Sequence, residues 1–328
     1  GHNGTNGKHR FFRQCRIKNK ISMGSAPHIL CAADVDKKER KMALELTNVS
    51  VIKDLCERHG FALSKGFGQN FIVNPGICPK MVHAAGIDES YGVLEIGPGI
   101  GVLTKELCKC AAKVISVEVD ERLPPLLAET MAEYDNFQLV MGDVLKIDLA
   151  ALIAREFQGL KVAVCANLPY YITSPIVMKL LEERLPLEHL TVMVQKEAAE
   201  RLCAKPGTRA AGAVTYAVHY YAEPEILFTV QPGSFYPPPK VTSAVIQLLL
   251  HEAPCVQPKE EKHMFRVIRA AFSQRRKTAA NAISAGMGIA KAQVLDAMQE
   301  LDISVTARPE QLTLEHYAAL SDALSKQA

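Results

Sequence analysis

Between residues 92 and 194, short apolar runs alternate with helical stretches, and this rhythm constrains the fold more than any other feature of the chain. The runs are 92–97 (G-V-L-E-I-G), 114–119 (V-I-S-V-E-V), 137–141 (F-Q-L-V-M), 161–166 (K-V-A-V-C-A) and 189–194 (H-L-T-V-M-V). Each is short enough for a strand and too continuously apolar for one with a wet face. Helical patterns, such as 101–112 and 121–133, separate them. Strand, helix, strand at this spacing predicts a parallel sheet covered by helices on both faces. Two later strands, about 225–230 and 241–250, have no long helix between them and are expected to form an antiparallel hairpin at one edge. The fold class is α/β, a Rossmann-like sheet of seven strands.

The flanks read differently. T-N-V-S-V-I-K-D-L-C-E-R-H, residues 47–59, predicts a helix capped by Thr47 or Asn48 and stopped at Gly60. From Pro254 to Glu261 the composition shifts to Pro, Lys and Glu, which marks a linker. Beyond it only helical patterns follow, at 262–273, 277–286, 290–300 and 312–326. The expected division is 42–253 for the sheet domain and 254–328 for a small all-helical domain. Residues 1–41 have little apolar periodicity and no apolar core of a secretory signal. They are read as a disordered tag or upstream extension, with a native start near Met23 or Met42; a basic nucleic-acid-binding arm is the sharper alternative.

Charge divides along the same line. Residues 1–41 hold ten Lys or Arg against three acids, +7, so the remainder carries −4 of the chain's net +3. Evidence for a nucleic-acid partner must therefore be local. The nine cysteines are scattered, and C-x-C at Cys108 and Cys110 lacks a second pair to complete a zinc site. Reduced thiols in a cytoplasmic protein and no metal are expected. No run of 18 apolar residues suggests a membrane span.

E-I-G-P-G-I-G, residues 95–101, ends the first strand and opens a helix. Gly97, Gly99 and Gly101 allow a sharp turn and close approach to a ligand. Glu118 stands at the end of the second strand, 21 residues after Gly97, and Asp143 at the end of the third. Ligands of doubly wound sheets bind at those carboxyl ends, where an acid accepts hydrogen bonds from ribose hydroxyls. A nicotinamide dinucleotide needs G-x-G-x-x-G and a phosphate-friendly helix end. Here the spacing is G-x-G-x-G, and Glu95 repels phosphate but suits a cation. S-adenosylmethionine, a sulfonium without phosphate, fits Glu95, Glu118 and Asp143 better.

The fourth strand ends in N-L-P-Y-Y-I-T-S-P, residues 167–175. An adenine amino group is a poor nucleophile because its lone pair is delocalised into the ring. Two acceptors binding its N–H groups pull the nitrogen toward tetrahedral geometry. The Asn167 carboxamide supplies one, and the backbone carbonyl of Leu168 or Pro169 the other, proline fixing the turn. Tyr170 offers a face for the base to stack on. No general base is needed, because the proton turns acidic once the nitrogen is alkylated, so positioning carries the rate. For Tyr171 the sequence leaves open a contact to the base or simple core packing.

These segments, with G-F-G-Q-N-F at 66–71, F-Y-P-P-P-K-V-T-S-A-V at 235–245 and F-S-Q-R-R-K-T at 272–278, resemble the KsgA-type ribosomal RNA adenine dimethylases, in order, over about residues 45–328. The resemblance implies S-adenosylmethionine-dependent N6,N6-dimethylation of two adjacent adenosines near the 3′ end of small-subunit (16S) rRNA. It implies cofactor contacts at Asn70, Ile72, Gly97, Glu118, Asp143 and Asn167, of which Asn70 and Ile72 are not assignable from spacing. Ile72 stands where the family usually has Leu. Phe235, ahead of a proline-stiffened segment, is expected to flank the flipped base opposite Tyr170.

Residues 263–281 contain Arg266, Arg269, Arg275, Arg276 and Lys277 and no acid. Against a negative body this reads as a phosphate-contacting patch, with Lys205 and Arg209 as a second contact. The expected partner is the small ribosomal subunit, the expected state a monomer without membrane attachment. The macrolide-resistance methylases of large-subunit rRNA are the close alternative; F-S-Q-R-R-K-T and the long helical tail favour the small subunit.

Overall fold

The computed structural model describes residues 44–62, 69–274 and 276–325. The expectations for residues 1–41, the first part of G-F-G-Q-N-F and Arg275 lie outside them. Among the described residues no helix is long and apolar enough to cross a membrane.

The chain enters through helix α1 (Val49–Arg58) and a two-residue strand β1 (Phe71–Ile72), then helix α2 (Ile77–Ala85). The sheet begins with β2 (Tyr91–Ile96), α3 (Val102–Cys110), β3 (Lys113–Glu118), α4 (Pro124–Thr130) and β4 (Phe137–Met141). It continues through α5 (Leu149–Glu156), β5 (Lys161–Asn167), α6 (Thr173–Glu182), β6 (His189–Gln195), α7 (Lys196–Leu202) and α8 (Ala213–Tyr221). Strands β7 (Ala222–Val230) and β9 (Ser243–Leu250) complete it, and between them the short β8 (Phe235–Tyr236) pairs with β1 in a separate two-stranded ladder. Four helices follow: α9 (Glu261–Phe272), α10 (Ala279–Met287), α11 (Lys291–Glu300) and α12 (Leu314–Ser325).

The seven-stranded sheet has the order β4-β3-β2-β5-β6-β9-β7. Strands β4 to β6 are parallel, as the continuous apolar runs require, and β9 and β7 are antiparallel. The hairpin lies at the expected edge, with its second strand inserted between β6 and β7. After β4 the chain returns to the other side of β2, placing β5 beside it. The crevice at that reversal is where ligands of such sheets sit.

Neighbouring residues of each central strand feed opposite layers. Val93, Val114 and Ala163 join one apolar cluster with Ile52 and Leu55 of α1, Met81 of α2, Leu107 of α3 and Leu127 of α4. Leu94, Ile115 and Val164 join the other, with Leu152 of α5, Val177 of α6 and Tyr216 of α8. Met264 and Ile268 of α9, Ile283 of α10 and Tyr317 of α12 continue this second cluster. Of the two caps open for α1, Asn48 is used: its side chain accepts from Ser50 N at 2.8 Å.

The pairing of β1 with β8 had no signal in the sequence, because two residues show no period. Phe71 faces Tyr236 and Ile72 faces Phe235 in antiparallel register. This ladder ties the segment before α2 to the proline-rich segment before β9.

Candidate active site

One cavity lies over the carboxyl ends of β2, β3, β4 and β5. Strand β2 runs into Gly97, Pro98, Gly99, Ile100 and Gly101, where the three glycines have φ of 71°, 56° and 93°. Side-chain-bearing residues are strained there. A Cβ at Gly99 would in addition come within 3.2 Å of the Phe71 ring.

Two buried acids border the loop. Glu95 is 1% exposed. Its Oε2 accepts from Thr104 Oγ1 at 2.7 Å and Ser116 Oγ at 2.5 Å. Burial nevertheless pushes its pKa up to about 7, against the pull of the two hydroxyls. Glu118 Oε1 accepts from the backbone N–H groups of Val119 and Asp120, each at 2.8 Å. Burial raises this carboxyl too, the N–H groups opposing it. Asp143 follows β4; its Oδ1 accepts from Leu145 N at 2.9 Å, and Lys146 Nζ lies 3.6 Å from Oδ2.

At the end of β5, Asn167 Oδ1 is buried and accepts no hydrogen bond among the described residues. Buried polar atoms are almost always paired, so an orphan acceptor marks a place meant for a donor. The neighbouring backbone decides between the two carbonyls. Pro169 O already accepts from Ile172 N and Thr173 Oγ1, both at 3.2 Å. Leu168 donates its N–H to Met193 O at 3.0 Å, while its carbonyl accepts nothing among the described residues. The structure therefore selects Leu168 as the open backbone acceptor.

Tyr170 lines the cavity on a single 3₁₀ turn, and its hydroxyl meets Ser243 Oγ. Burial raises the pKa of this phenol, so it stays protonated. Tyr171 is 56% exposed at the cavity wall and is not a core residue. The turn carries it outward because Tyr170 has taken the inward position.

Of the residues expected at the site, Asn70, Ile72, Gly97, Glu118, Asp143, Asn167, Leu168, Pro169 and Tyr170 all line this cavity. Phe235 is not brought to it. It is 3% exposed, faces Ile72 across β1–β8, and shares an apolar cluster with Met193, Val230 and Val245. Arg266, Arg269, Arg276 and Lys277 are exposed, and none makes an ion pair among the described residues. Lys205 and Arg209 are likewise exposed. Sequence reasoning missed Ser243 and Asp120; for the latter the E-V-D-E-R spacing at 118–122 was the available signal.

The residues present fit S-adenosylmethionine. The glycine loop admits a closely packed ligand, the buried acids favour a cation over a phosphate, and the orphan amide oxygen awaits a donor beside them. Among the described residues no cluster of His, Cys, Asp and Glu is arranged to hold a metal ion.

Comparison with known proteins agrees. The sequence model of the family "Ribosomal RNA adenine dimethylase" matches residues 60–326. A ribosomal RNA small subunit methyltransferase A of Geobacillus thermodenitrificans is 46% identical over 276 residues, 83% of this chain and 94% of that protein. The protein of the same name from Streptococcus sanguinis is 42% identical over 289 residues, 87% of this chain and 99% of its own. Among solved structures, a dimethyladenosine transferase from Plasmodium falciparum superposes with a TM-score of 0.65 at 28% identity, covering 78% of this chain and 98% of its own. The 23S rRNA methyltransferase ErmE shares the fold, with a TM-score of 0.60 at 24% identity over 78% of this chain and 100% of its own. Built on a glycine loop, two buried acids and an orphan amide oxygen, this chain belongs to the ribosomal RNA adenine dimethylase family.

Proposed function

We propose that this protein transfers methyl groups from S-adenosylmethionine to N6 of two adjacent adenosines near the 3′ end of small-subunit (16S) rRNA, in small-subunit biogenesis. The observation that carries the reading is the buried Oδ1 of Asn167, next in the chain to the carbonyl of Leu168, both without a hydrogen-bond donor among the described residues. Two acceptors on adjacent residues match the two N–H groups of an exocyclic nucleobase amine, and membership of the ribosomal RNA adenine dimethylase family supports adenine over cytosine or guanine.

Asn167 and Leu168 bind those N–H groups and turn the nitrogen lone pair toward the glycine loop. S-adenosylmethionine supplies the electrophilic methyl of a sulfonium, leaving as a neutral thioether. Tyr170 supports the base from one face, and its protonated hydroxyl stays with Ser243. Glu118 serves the ribose, Asp143 the adenine end, and Glu95 the positive charge. The proton lost by the alkylated amine passes to solvent. After one transfer a single N–H remains, and the monomethyl amine has to rotate so that this N–H meets one of the two acceptors.

Arg266, Arg269, Arg275, Arg276 and Lys277 contact rRNA phosphates from the helical segment 254–328, with Lys205 and Arg209 nearer the base. The high identity to proteins named for the small subunit supports that substrate over the large one. The enzyme is expected to act as a cytoplasmic monomer. The deciding experiment treats methylase-deficient small subunits with protein and S-adenosylmethionine and analyses the adenosines by mass. Two dimethyladenosines are expected; modification of large-subunit rRNA alone would overturn the assignment.

A further inference from the structure

Asp120 connects two walls of the cofactor cavity. Its backbone N–H donates to Glu118 Oε1 at 2.8 Å, which fixes that carboxylate at the end of β3. Its own carboxylate, in a side chain 3% exposed, accepts from Gln69 Nε2 at 2.8 Å, 51 residues away in sequence. Gln69 immediately precedes Asn70 and strand β1, which form the facing wall.

Arg122 completes the arrangement. Its Nε reaches Asp120 Oδ1 at 2.8 Å and its Nη2 reaches Oδ2 at 2.6 Å. Its Nη1 donates to Ala62 O at 3.1 Å, and the guanidinium lies 4.8 Å from the centre of the Phe61 ring. An ordinary turn explains only part of this. Asp120 Oδ1 accepts from Arg122 N at 3.1 Å, as Asp does in many turns. Oδ2, which also meets Arg122 Nη2, accepts in addition from Gln69 Nε2, a contact that no local turn requires.

We propose that Asp120, held by Arg122, is a positioning residue that couples the Glu118 wall to the Gln69–Ile72 wall, so that the cofactor meets a preformed cavity. The inference rests on S-adenosylmethionine being the ligand of this cavity. A cavity whose walls are held apart from the ligand loses less freedom on binding, and affinity rises accordingly. Because the Asp120 carboxylate and the Gln69 amide are the two ends of one hydrogen bond, the effects of Asp120 and Gln69 on the cofactor must be coupled rather than additive.

The test titrates S-adenosylhomocysteine calorimetrically into wild type, Asp120→Asn, Gln69→Ala and the double variant. Steady-state kinetics on small subunits and thermal melting accompany it. Each single variant is expected to weaken binding on the order of tenfold, as loss of a hydrogen bond to a charged group does. The double variant is expected to be no weaker than the weaker single. KM for S-adenosylmethionine rises while kcat and KM for the small subunit hold, a split that mere loosening of the fold does not produce. Should Asp120→Asn fail to fold, Arg122→Ala at a side chain 44% exposed removes the same brace and is expected to show the same split. Unchanged affinity, or a double variant whose loss is the product of the singles, overturns the inference. Absence of binding by wild type would instead sink the proposed function on which it rests.

Discussion

The hydroxyl of Tyr170 is hydrogen-bonded to the hydroxyl of Ser243, which ties the ring at the end of β5 to the first residue of β9. Ser243 is fully buried and registers with Gln195 on one side and Val230 on the other. The ring's orientation is thus set by the sheet itself. Tyr170→Ala should lower kcat/KM by about 5- to 150-fold, the loss of one stacked base at roughly 1–3 kcal/mol. Tyr170→Phe and Ser243→Ala should each cost less, and together no more than either alone. A double-mutant cycle on kcat/KM checks this; strict additivity would refute the tie.

Asn167→Ala should cost about 10² to 10³ in kcat, the scale for deleting one preorganised partner of a reacting group. Stability should hold or rise by about 1 kcal/mol, because the variant removes a buried acceptor that nothing among the described residues satisfies. Methyl-transfer assays with denaturant melts separate the two readouts. Substantial destabilisation would show that the amide is structural.

Glu95 predicts a pH dependence with a definite sign. Its pKa rises from 4.5 unfolded to about 7 folded. The folded state therefore holds a proton that the unfolded state has released between those values. The stabilisation is complete below about 4.5 and is lost as pH climbs through about 7, a change of about 3 kcal/mol at 1.36 kcal/mol per unit. Glu118 adjoins this carboxyl, and so do the buried thiols of Cys78, Cys108 and Cys165. Glu95→Gln should flatten the profile of the free enzyme from pH 5 to 8 and weaken cofactor binding, since a sulfonium favours the ionised acid. Melts across that range with cofactor titrations test it; an unaltered slope counts against the assignment.

Phe235→Ala should destabilise the fold by about 3–5 kcal/mol, the usual cost of emptying a buried aromatic site, because the ring sits among Met193, Val230 and Val245. Phe235→Leu should retain most of the stability. A loss of activity in Phe235→Ala with undiminished stability would mean that the ring leaves the core to meet the base.

Arg266→Ala and Arg269→Ala should leave melting unchanged, both side chains being exposed and without an ion pair among the described residues. Each should lower the slope of log affinity for small subunits against log salt by about one. Equal slopes in wild type and the double variant would remove this helix from the rRNA interface.

The apolar runs at 92–97, 114–119, 161–166 and 189–194 determined the parallel sheet, because a strand buried on both faces has to be apolar along its whole length, while 137–141 forms its half-buried edge. The glycines at 97, 99 and 101 were equally legible, since the turn they make takes the backbone to positive φ, where a side chain is strained. The position of Asn167 after the fourth strand pointed to the cavity it lines. Local chemistry announces itself locally.

Contacts between distant segments did not. Nothing in F-Y-P-P-P predicts that Phe235 turns into the core, because that follows from its register with Ile72, 163 residues earlier. Whether Leu168 or Pro169 offers its carbonyl depended on which one the following turn consumed. The partners of Tyr170 and Asp120 likewise come from Ser243 and Gln69. Sequence period and turn chemistry determined the sheet and the ends of its strands. Only the tertiary structure decided which polar atoms are satisfied within the protein and which are left to a ligand, because hydrogen bonding is settled by three-dimensional proximity.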